Sequence, residues 1–311
     1  MNILVTGASG FVGLPLIHHL FQKGFNVTAF IRTPLPLDLP IKFIINHSIY
    51  HAFPTAESLA SFDVIIHLIA RVHVSNSVSC DEYSLFKSVN VDMTMYLARL
   101  AKFAGVKRFI YISSIKVNGE FTTSNTCFTN HCLAKPSNPY ALTKYVAEQE
   151  LLALSTASDF EVVILRPPLI YGPNSKGNLH QLMKLLKGSM PLPLGSIDYN
   201  RRSMICIQNL LDVIVICLSH PLASNRVFLL SDDDDVSTKG LIIKICNYLG
   251  RQPLLFNTSP KLLSSVSYLC GKKDLYTKLC LSLRVDLSNT SSTLSWKPKF
   301  SLDEGLKNIF H

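Results

Sequence analysis

Short uninterrupted runs of apolar residues recur along the first 165 positions, and stretches with helical apolar spacing separate them. Runs without a polar face are typical of strands that are buried on both sides, as in a parallel sheet. We predict strands at 3–5, 26–31, 42–45, 63–67, 108–112 and 161–165, and helices at 14–21, 54–62, 82–104 and 140–154. This alternation is typical of an α/β fold with a doubly wound parallel sheet, the Rossmann arrangement.

Three glycines, Gly7, Gly10 and Gly13, lie in the turn between the first predicted strand and the first predicted helix. Glycine permits a sharp turn and lets a pyrophosphate approach the backbone where a Cβ would block it. The helix that follows presents unpaired N–H groups and the positive end of its dipole to such an anion. The turn therefore predicts a dinucleotide cofactor, and a glycine turn with a purely structural role is the alternative.

The end of the second predicted strand bears on the choice of cofactor. It carries Ile31 and Arg32, and no carboxylate follows until Asp38. In dinucleotide folds an acidic residue near this point binds the ribose 2′-hydroxyl, whereas an arginine accommodates a 2′-phosphate. The sequence therefore favours NADP(H) over NAD(H), with both kept open, because Arg32 could equally be an ordinary exposed arginine.

The alternation of strands and helices stops near residue 170. Glycine, proline and asparagine cluster at 172–178, and later helical patterns such as 241–249 no longer alternate with strands. We predict a dinucleotide-binding domain at 1–170, to which the chain returns at about 202–229, and a smaller substrate-binding lobe at 171–311. The acidic run at 232–235 precedes a helical pattern, so we expect it to cap that helix rather than to bind a metal.

Composition and charge narrow the classes of function. The 311 residues are 48% hydrophobic and 16% charged, and the formal net charge of +9 is spread out without a basic arm. We therefore expect no nucleic-acid partner. No apolar run approaches the roughly 20 residues of a membrane helix, and the start lacks a basic signal-peptide region, which predicts a cytoplasmic protein without a membrane span. The eight cysteines include no Cys-x-x-Cys pair and the ten histidines are scattered, so we expect reduced thiols and no metal site.

Tyr140 and Lys144 lie four residues apart in a predicted helix and therefore share one of its faces. A nearby ammonium group stabilises a phenolate, so we expect Lys144 to lower the pKa of Tyr140 from its usual value of about 10. Ser114, at the end of the preceding strand, can hydrogen-bond the same reacting oxygen. Tyr-x-x-x-Lys alone is common in helices, but its combination with this serine and with the glycine turn predicts acid–base catalysis.

The segments "LVTGASGFVG", "YISSIKVNGE" and "NPYALTKYVAEQEL" resemble the extended short-chain dehydrogenase/reductases, specifically the NAD-dependent epimerase/dehydratase family that acts on nucleotide sugars. The resemblance implies that Tyr140 is the acid/base, Lys144 its electrostatic partner and Ser114 a proton-bridging hydroxyl. Lys116 stands where many relatives have threonine. The implied cofactor contacts are Gly7, Gly10, Phe11, Val12, Gly13, Arg32, Asn46, Leu68, Ala70, Lys144 and Pro167.

Two later segments, "GNLHQLMKLLKG" and "NRRSMICIQNLLDV", are similar to those that bind UDP-sugars in this family. The resemblance implies substrate contacts at Asn178 and Arg202, besides Ser114 and Tyr140, and oxidoreduction at C4 of a UDP-hexose. Pro167-Pro168 replaces the Phe-Asn pair of the epimerases, so we prefer a 4-ketoreductase of a UDP-4-keto-6-deoxy-N-acetylhexosamine in surface polysaccharide synthesis. A UDP-glucose or UDP-N-acetylglucosamine 4-epimerase is the alternative, and an inactive cofactor-sensing binding protein is a minor one. A homodimer is possible.

Overall fold

The computed structural model describes residues 1–33, 40–45, 55–72, 81–123, 125–175, 177–188 and 190–310. Seven parallel strands form one sheet in the order β3-β2-β1-β4-β5-β6-β9, which confirms the predicted doubly wound arrangement. A two-stranded sheet pairs β7 with β8. The strands are β1 (Asn2–Thr6), β2 (Asn26–Ile31), β3 (Lys42–Ile45), β4 (Val64–His67), β5 (Arg108–Ile112), β6 (Glu161–Arg166), β7 (Leu169–Tyr171), β8 (Met204–Cys206) and β9 (Arg226–Leu229).

Helices cover both faces of the large sheet and build the rest of the molecule. A π-helical segment, Ser88–Met93, joins α3 to α4, and a 3₁₀ turn, Ile115–Val117, follows β5. The helices are α1 (Gly13–Gln22), α2 (Ala56–Leu59), α3 (Glu82–Lys87), α4 (Thr94–Phe103), α5 (Pro139–Ser155), α6 (Asn178–Lys187), α7 (Ile207–Cys217), α8 (Thr238–Tyr248), α9 (Pro260–Leu269), α10 (Lys273–Cys280), α11 (Ser288–Leu294) and α12 (Leu302–Phe310).

The central strand β1 supplies side chains to two separate hydrophobic cores. Ile3 and Val5 pack in the core that includes residues of α1 and α7, whereas Leu4 packs in the core that includes residues of α4 and α5. Successive side chains of a strand point to opposite faces of the sheet, so an apolar run without alternation requires helices on both sides. The carboxyl ends of these strands then meet at one edge, where the predicted site residues follow them.

The acidic run at 232–235 does not cap the helix that follows it, so our expectation for it was wrong. Ser237 caps α8 by accepting from the N–H of Gly240 at 2.9 Å. Asp232 is buried instead and accepts from the Tyr171 hydroxyl and the Asn209 amide, each at 2.7 Å. The buried polar groups at the junction of β7, β8 and α7 need an acceptor, and Asp232 supplies it.

None of the helices in the described part of the chain is both long enough and apolar enough to span a bilayer.

Candidate active site

The glycine turn has a backbone conformation that residues with a Cβ could not adopt without strain or clashes. Gly7 adopts φ +70°, and a Cβ on Gly13 would lie 2.3 Å from the Gly7 carbonyl oxygen. The first turn of α1 has no side-chain cap and no acidic residue, so the positive end of its dipole stays available to an anion. Within this turn the Leu14 N–H donates to the Gly10 carbonyl at 3.0 Å, and Pro15 has no N–H. Phe11 and Val12 lie between Gly10 and this helix start. The turn thus fits the pyrophosphate of a dinucleotide.

The segment that leaves β4 packs directly against this turn. A Cβ on Gly7 would lie 3.1 Å from both the Ile69 nitrogen and the Leu68 carbonyl carbon, and Ala70 follows. Further along, the Arg71 N–H donates to Asn90 Oδ1 at 2.8 Å, and Asn90 Nδ2 donates to Thr143 Oγ1 at 3.1 Å. Asn90 therefore ties the exit of β4 to α5. Its position inside an otherwise apolar helical stretch was the available sequence signal for this role, which we did not predict.

Ser114, Tyr140 and Lys144 come together beyond the carboxyl end of β5. Ser114 follows this strand, and its hydroxyl lies near enough to the Tyr140 phenol to influence the pKa of that group. Tyr140 is the second residue of α5, which Asn138 caps by accepting from the Ala141 N–H at 2.9 Å. Lys144 follows one turn later on the same helix. The spacing in sequence therefore translates into one shared location.

Lys144 is buried, with 1% of its surface exposed, and its ammonium group contacts β5 rather than the phenol. It donates to the Ile112 carbonyl at 2.7 Å and lies 4.2 Å above the centre of the Tyr111 ring. A carbonyl and an aromatic face both attract a cation. They hold the ammonium group against the end of the strand, beside the site where Ser114 and Tyr140 meet.

The two titratable groups of this site shift in directions that follow from burial. Burial raises the pKa of Tyr140 to about 12, and the neighbouring Ser114 hydroxyl acts in the opposite direction. Burial also lowers the pKa of Lys144 to about 7, against an opposing attraction from Glu148. Our expectation that Lys144 lowers the pKa of Tyr140 is therefore corrected, because desolvation dominates and the ammonium group is engaged by β5.

Lys144 makes the stability of the fold depend on pH in a definite direction. Its pKa is about 7 in the folded chain and 10.5 ordinarily, so the unfolded chain binds more protons between these values. The free energy of unfolding should therefore rise from about pH 7 to about pH 10, and it should rise less in Lys144→Met. Urea unfolding followed by circular dichroism measures both slopes. Equal slopes in the two proteins would show that Lys144 titrates normally.

An ion pair that we did not predict lies behind this site. Arg166, the last residue of β6, donates from Nε to Glu148 Oε1 at 3.0 Å and from Nη2 to Oε2 at 2.5 Å. Its Nη1 donates to Asn118 Oδ1 at 2.9 Å. The Glu148 side chain is fully buried and lies one helical turn after Lys144 on α5. The ion pair therefore connects α5, the end of β6 and the turn that follows Ser114.

His67 at the end of β4 is enclosed by protein. It is fully buried, hydrogen-bonds Thr6 at 2.8 Å and Thr94 at 3.0 Å, and burial lowers its pKa to about 3. It is therefore neutral at ordinary pH and joins two elements of the fold.

Further candidate cofactor residues occupy different places around the sheet. Arg32 is exposed at the carboxyl end of β2. Pro167 is buried after β6, and its carbonyl accepts from the Ile115 N–H at 2.9 Å, which ties it to the turn after Ser114. Asn46 lies outside the described residues.

The two candidate diphosphate ligands differ in environment. Asn178 is exposed at the start of α6. The Arg202 guanidinium donates to the Leu281 carbonyl at 3.0 Å, and burial lowers its pKa to about 10 against the attraction of Glu120. Glu120 also lies 3.4 Å from the ammonium group of Lys116, the residue that departs from the family pattern. Arg202 is therefore charged at neutral pH, and Glu120 attracts both Arg202 and Lys116.

Across the described ranges, no group of three or more His, Cys, Asp or Glu side chains is arranged to hold a metal ion.

The chain is similar to a known protein family and to several known proteins. A family model described as the NAD dependent epimerase/dehydratase family matches residues 3–230. The chain is 40% identical to a UDP-glucose 4-epimerase of Vibrio cholerae over 98% of its own length and 93% of that relative. It is 28% identical, over 81% of its length and 73% of the relative, to an N-acetyl-alpha-D-glucosaminyl-diphospho-ditrans,octacis-undecaprenol 4-epimerase of Escherichia coli O157:H7. A solved UDP-glucuronic acid 4-epimerase from Bacillus cereus in complex with NAD shares the fold, with a TM-score of 0.80, 22% identity and coverage of 100% of this chain and 96% of that one.

Proposed function

The chain belongs to the NAD-dependent epimerase/dehydratase family, and on that premise we propose that it is a UDP-hexose 4-epimerase. The observation that carries the proposal is the meeting of Ser114, Tyr140 and Lys144 beside a glycine turn shaped for a dinucleotide pyrophosphate. The relative that matches nearly the whole chain at 40% identity supports the 4-epimerase over the 4-ketoreductase that the sequence alone favoured.

A nicotinamide cofactor bound at the glycine turn would accept a hydride from C4 of the sugar and return it. Tyr140 takes the proton of the C4 hydroxyl and gives it back when the reduction occurs from the other face. Ser114 hydrogen-bonds the same oxygen and holds it near the phenol. Since burial raises the pKa of Tyr140 to about 12, the phenol keeps its proton at neutral pH, and forming the phenolate that accepts the C4 proton requires that positive charge approach it. Lys144 is placed to supply this charge by leaving the Ile112 carbonyl, and to bind the ribose hydroxyls of the cofactor.

The substrate's diphosphate would bind at Arg202 and Asn178. Arg202 carries a planar guanidinium that can contact two phosphate oxygens at once, and Asn178 is exposed at the start of α6. The diphosphate would replace the Leu281 carbonyl as the partner of Arg202. The polyprenyl-diphosphate-linked relative shares a sugar diphosphate with the UDP-sugars, so the lipid-linked sugar is a second substrate to test.

The experiment that tests the proposal follows the hydride. An epimerase returns its hydride in every cycle, so we expect the protein to convert UDP-glucose or UDP-N-acetylglucosamine to its C4 epimer without net consumption of reduced cofactor. Chromatography of the sugar nucleotides and absorbance of the nicotinamide measure the two quantities.

Two other outcomes would each reject this proposal. Consumption of NADPH with a UDP-4-keto-6-deoxy-N-acetylhexosamine, without epimer formation, would establish the 4-ketoreductase, which the prolines at 167–168 favour. Cofactor binding without turnover of either substrate would instead support the third alternative, an inactive cofactor-sensing binding protein.

Arg32 allows a separate test of cofactor choice. The exposed guanidinium at the carboxyl end of β2 can pair with a ribose 2′-phosphate, so Arg32→Ala should weaken NADP(H) by about tenfold and leave NAD(H) nearly unchanged. Titration of bound cofactor by fluorescence measures both affinities. Arg226→Ala, which removes an exposed arginine at the opposite end of a strand, is the matched control. A wild-type protein that strongly prefers NADH would show that Arg32 points elsewhere.

A further inference from the structure

The helical hairpin formed by α9, Gly271 and α10, residues 260–280, presents an apolar face that the rest of the described chain does not cover. None of the residues of α9 is buried. Leu262, Val266 and Leu269 are 56%, 49% and 84% exposed, and their spacing of four and three residues places them on one side of the helix. Monomeric soluble proteins rarely leave such a continuous apolar surface without a partner.

The other side of the hairpin is firmly attached to the protein. Leu263 of α9 and Tyr276 and Leu279 of α10 pack against the core of the C-terminal lobe, and the two helices pack against each other. The hairpin therefore has a fixed orientation. Its inner apolar surface packs on the lobe, and its outer apolar surface is not covered by the described residues. A helix that needed only to cover the lobe would require polar residues on its outer side.

The charges around the outer face are mainly positive. Residues 260–280 contain four lysines and one acidic residue, Asp274. Lys261, Lys272 and Lys273 are exposed, and within the described residues none of them forms an ion pair. The lysine pair directly follows Gly271 at the tip of the hairpin. Helices that lie in the interface of a bilayer with anionic lipids have this composition: an apolar face of leucine, valine and tyrosine with lysines along its edge.

We propose that the outer face of this hairpin docks the protein on the surface of a bilayer that contains anionic phospholipids. Leu262, Val266 and Leu269 enter the boundary between headgroups and acyl chains, and the lysines contact the lipid phosphates. A second copy of the chain fits this face less well, because the hairpin has four lysines and only one acidic residue, Asp274, to pair with them. This inference concerns a surface outside the catalytic site and holds whether the enzyme is an epimerase or a reductase.

Sedimentation with vesicles tests the proposal on the full-length protein. Wild type should bind vesicles made of equal amounts of phosphatidylcholine and phosphatidylglycerol, and bind phosphatidylcholine alone weakly. The triple variant Leu262→Ser/Val266→Ser/Leu269→Ser should lose about tenfold in affinity. The affinity of Lys272→Glu/Lys273→Glu for these vesicles should fall by at least about tenfold, and added salt should weaken the binding of the wild type as well.

A control variant removes at least as much exposed apolar surface elsewhere on the protein. Phe103→Ser/Leu133→Ser/Leu222→Ser changes three scattered residues that are 83%, 81% and 52% exposed, and it should bind vesicles as wild type does. All these positions are exposed, so circular dichroism should show folded proteins. Three results would overturn the proposal: no binding by wild type, an equal loss in the control, or a hairpin variant that converts an oligomer to a smaller species in light scattering.

Discussion

Tyr140→Phe is expected to reduce turnover by about 10²-fold or more while leaving cofactor binding nearly unchanged. The substitution removes only the phenolic hydroxyl, which is the group next to Ser114. The Phe ring keeps the edge-on packing against Phe86, whose centroid lies 6.2 Å from that of Tyr140, so the fold should not change. Steady-state rates with saturating UDP-sugar, together with a titration of the cofactor, measure the two effects.

Tyr145→Phe is the matched control for this prediction. Tyr145 lies in the same helix and is partly exposed, and its position five residues after Tyr140 places it on a different side of the helix. Its substitution should change turnover by less than about twofold. Near-normal turnover in Tyr140→Phe would remove Tyr140 from the mechanism, whatever the control shows.

Arg166→Met should lower the free energy of unfolding by about 3–5 kcal/mol. The substitution leaves the Glu148 carboxylate fully buried without its cationic partner, and it also removes the donor to Asn118. Replacing both partners, as in Glu148→Met/Arg166→Met, should restore most of the lost stability, because no unpaired charge then remains in the interior. Urea unfolding of the wild type, both single variants and the double variant gives the coupling energy.

An exposed ion pair provides the comparison. Lys244 and Asp303 approach to 2.6 Å, but their side chains are 33% and 54% exposed, so Lys244→Met should cost less than about 1 kcal/mol. If Arg166→Met costs as little as this surface variant, the buried pair does not stabilise the fold. Because the pair joins α5 to β6 and the Ser114 turn, we also expect turnover in Arg166→Met to fall at temperatures where it remains folded.

The positions of the site residues followed from local sequence, because the features that define them are local. A glycine turn between a buried strand and a helix, and a tyrosine and a lysine four residues apart on one helix, fix their own geometry over one or two turns of chain. The structure places Gly7, Gly10 and Gly13 in the turn that leads into α1, and Tyr140 and Lys144 on one helix beside the end of β5. The roles of these residues stay predictions that the variants above test.

The partners of the charged groups depended on contacts between distant parts of the chain. Nothing local indicated that Arg166 would pair with Glu148, 18 residues earlier, or that Asp232 would accept from Tyr171, 61 residues earlier. The same holds for Asn90, which reaches both Arg71 and Thr143. A buried polar group takes whichever partner the packed elements bring near it, and sequence spacing does not encode that partner.

The sequence by itself determined the parallel sheet, the glycine turn and the spacing of Tyr140 and Lys144, because hydrophobic periodicity and glycine placement act over a few residues. Only the tertiary structure decided the protonation of the site. Burial raises the pKa of Tyr140 and lowers that of Lys144, and the Ile112 carbonyl holds the ammonium group away from the phenol. Desolvation depends on all the elements that close over a group, so it cannot be read from the spacing of two residues on one helix.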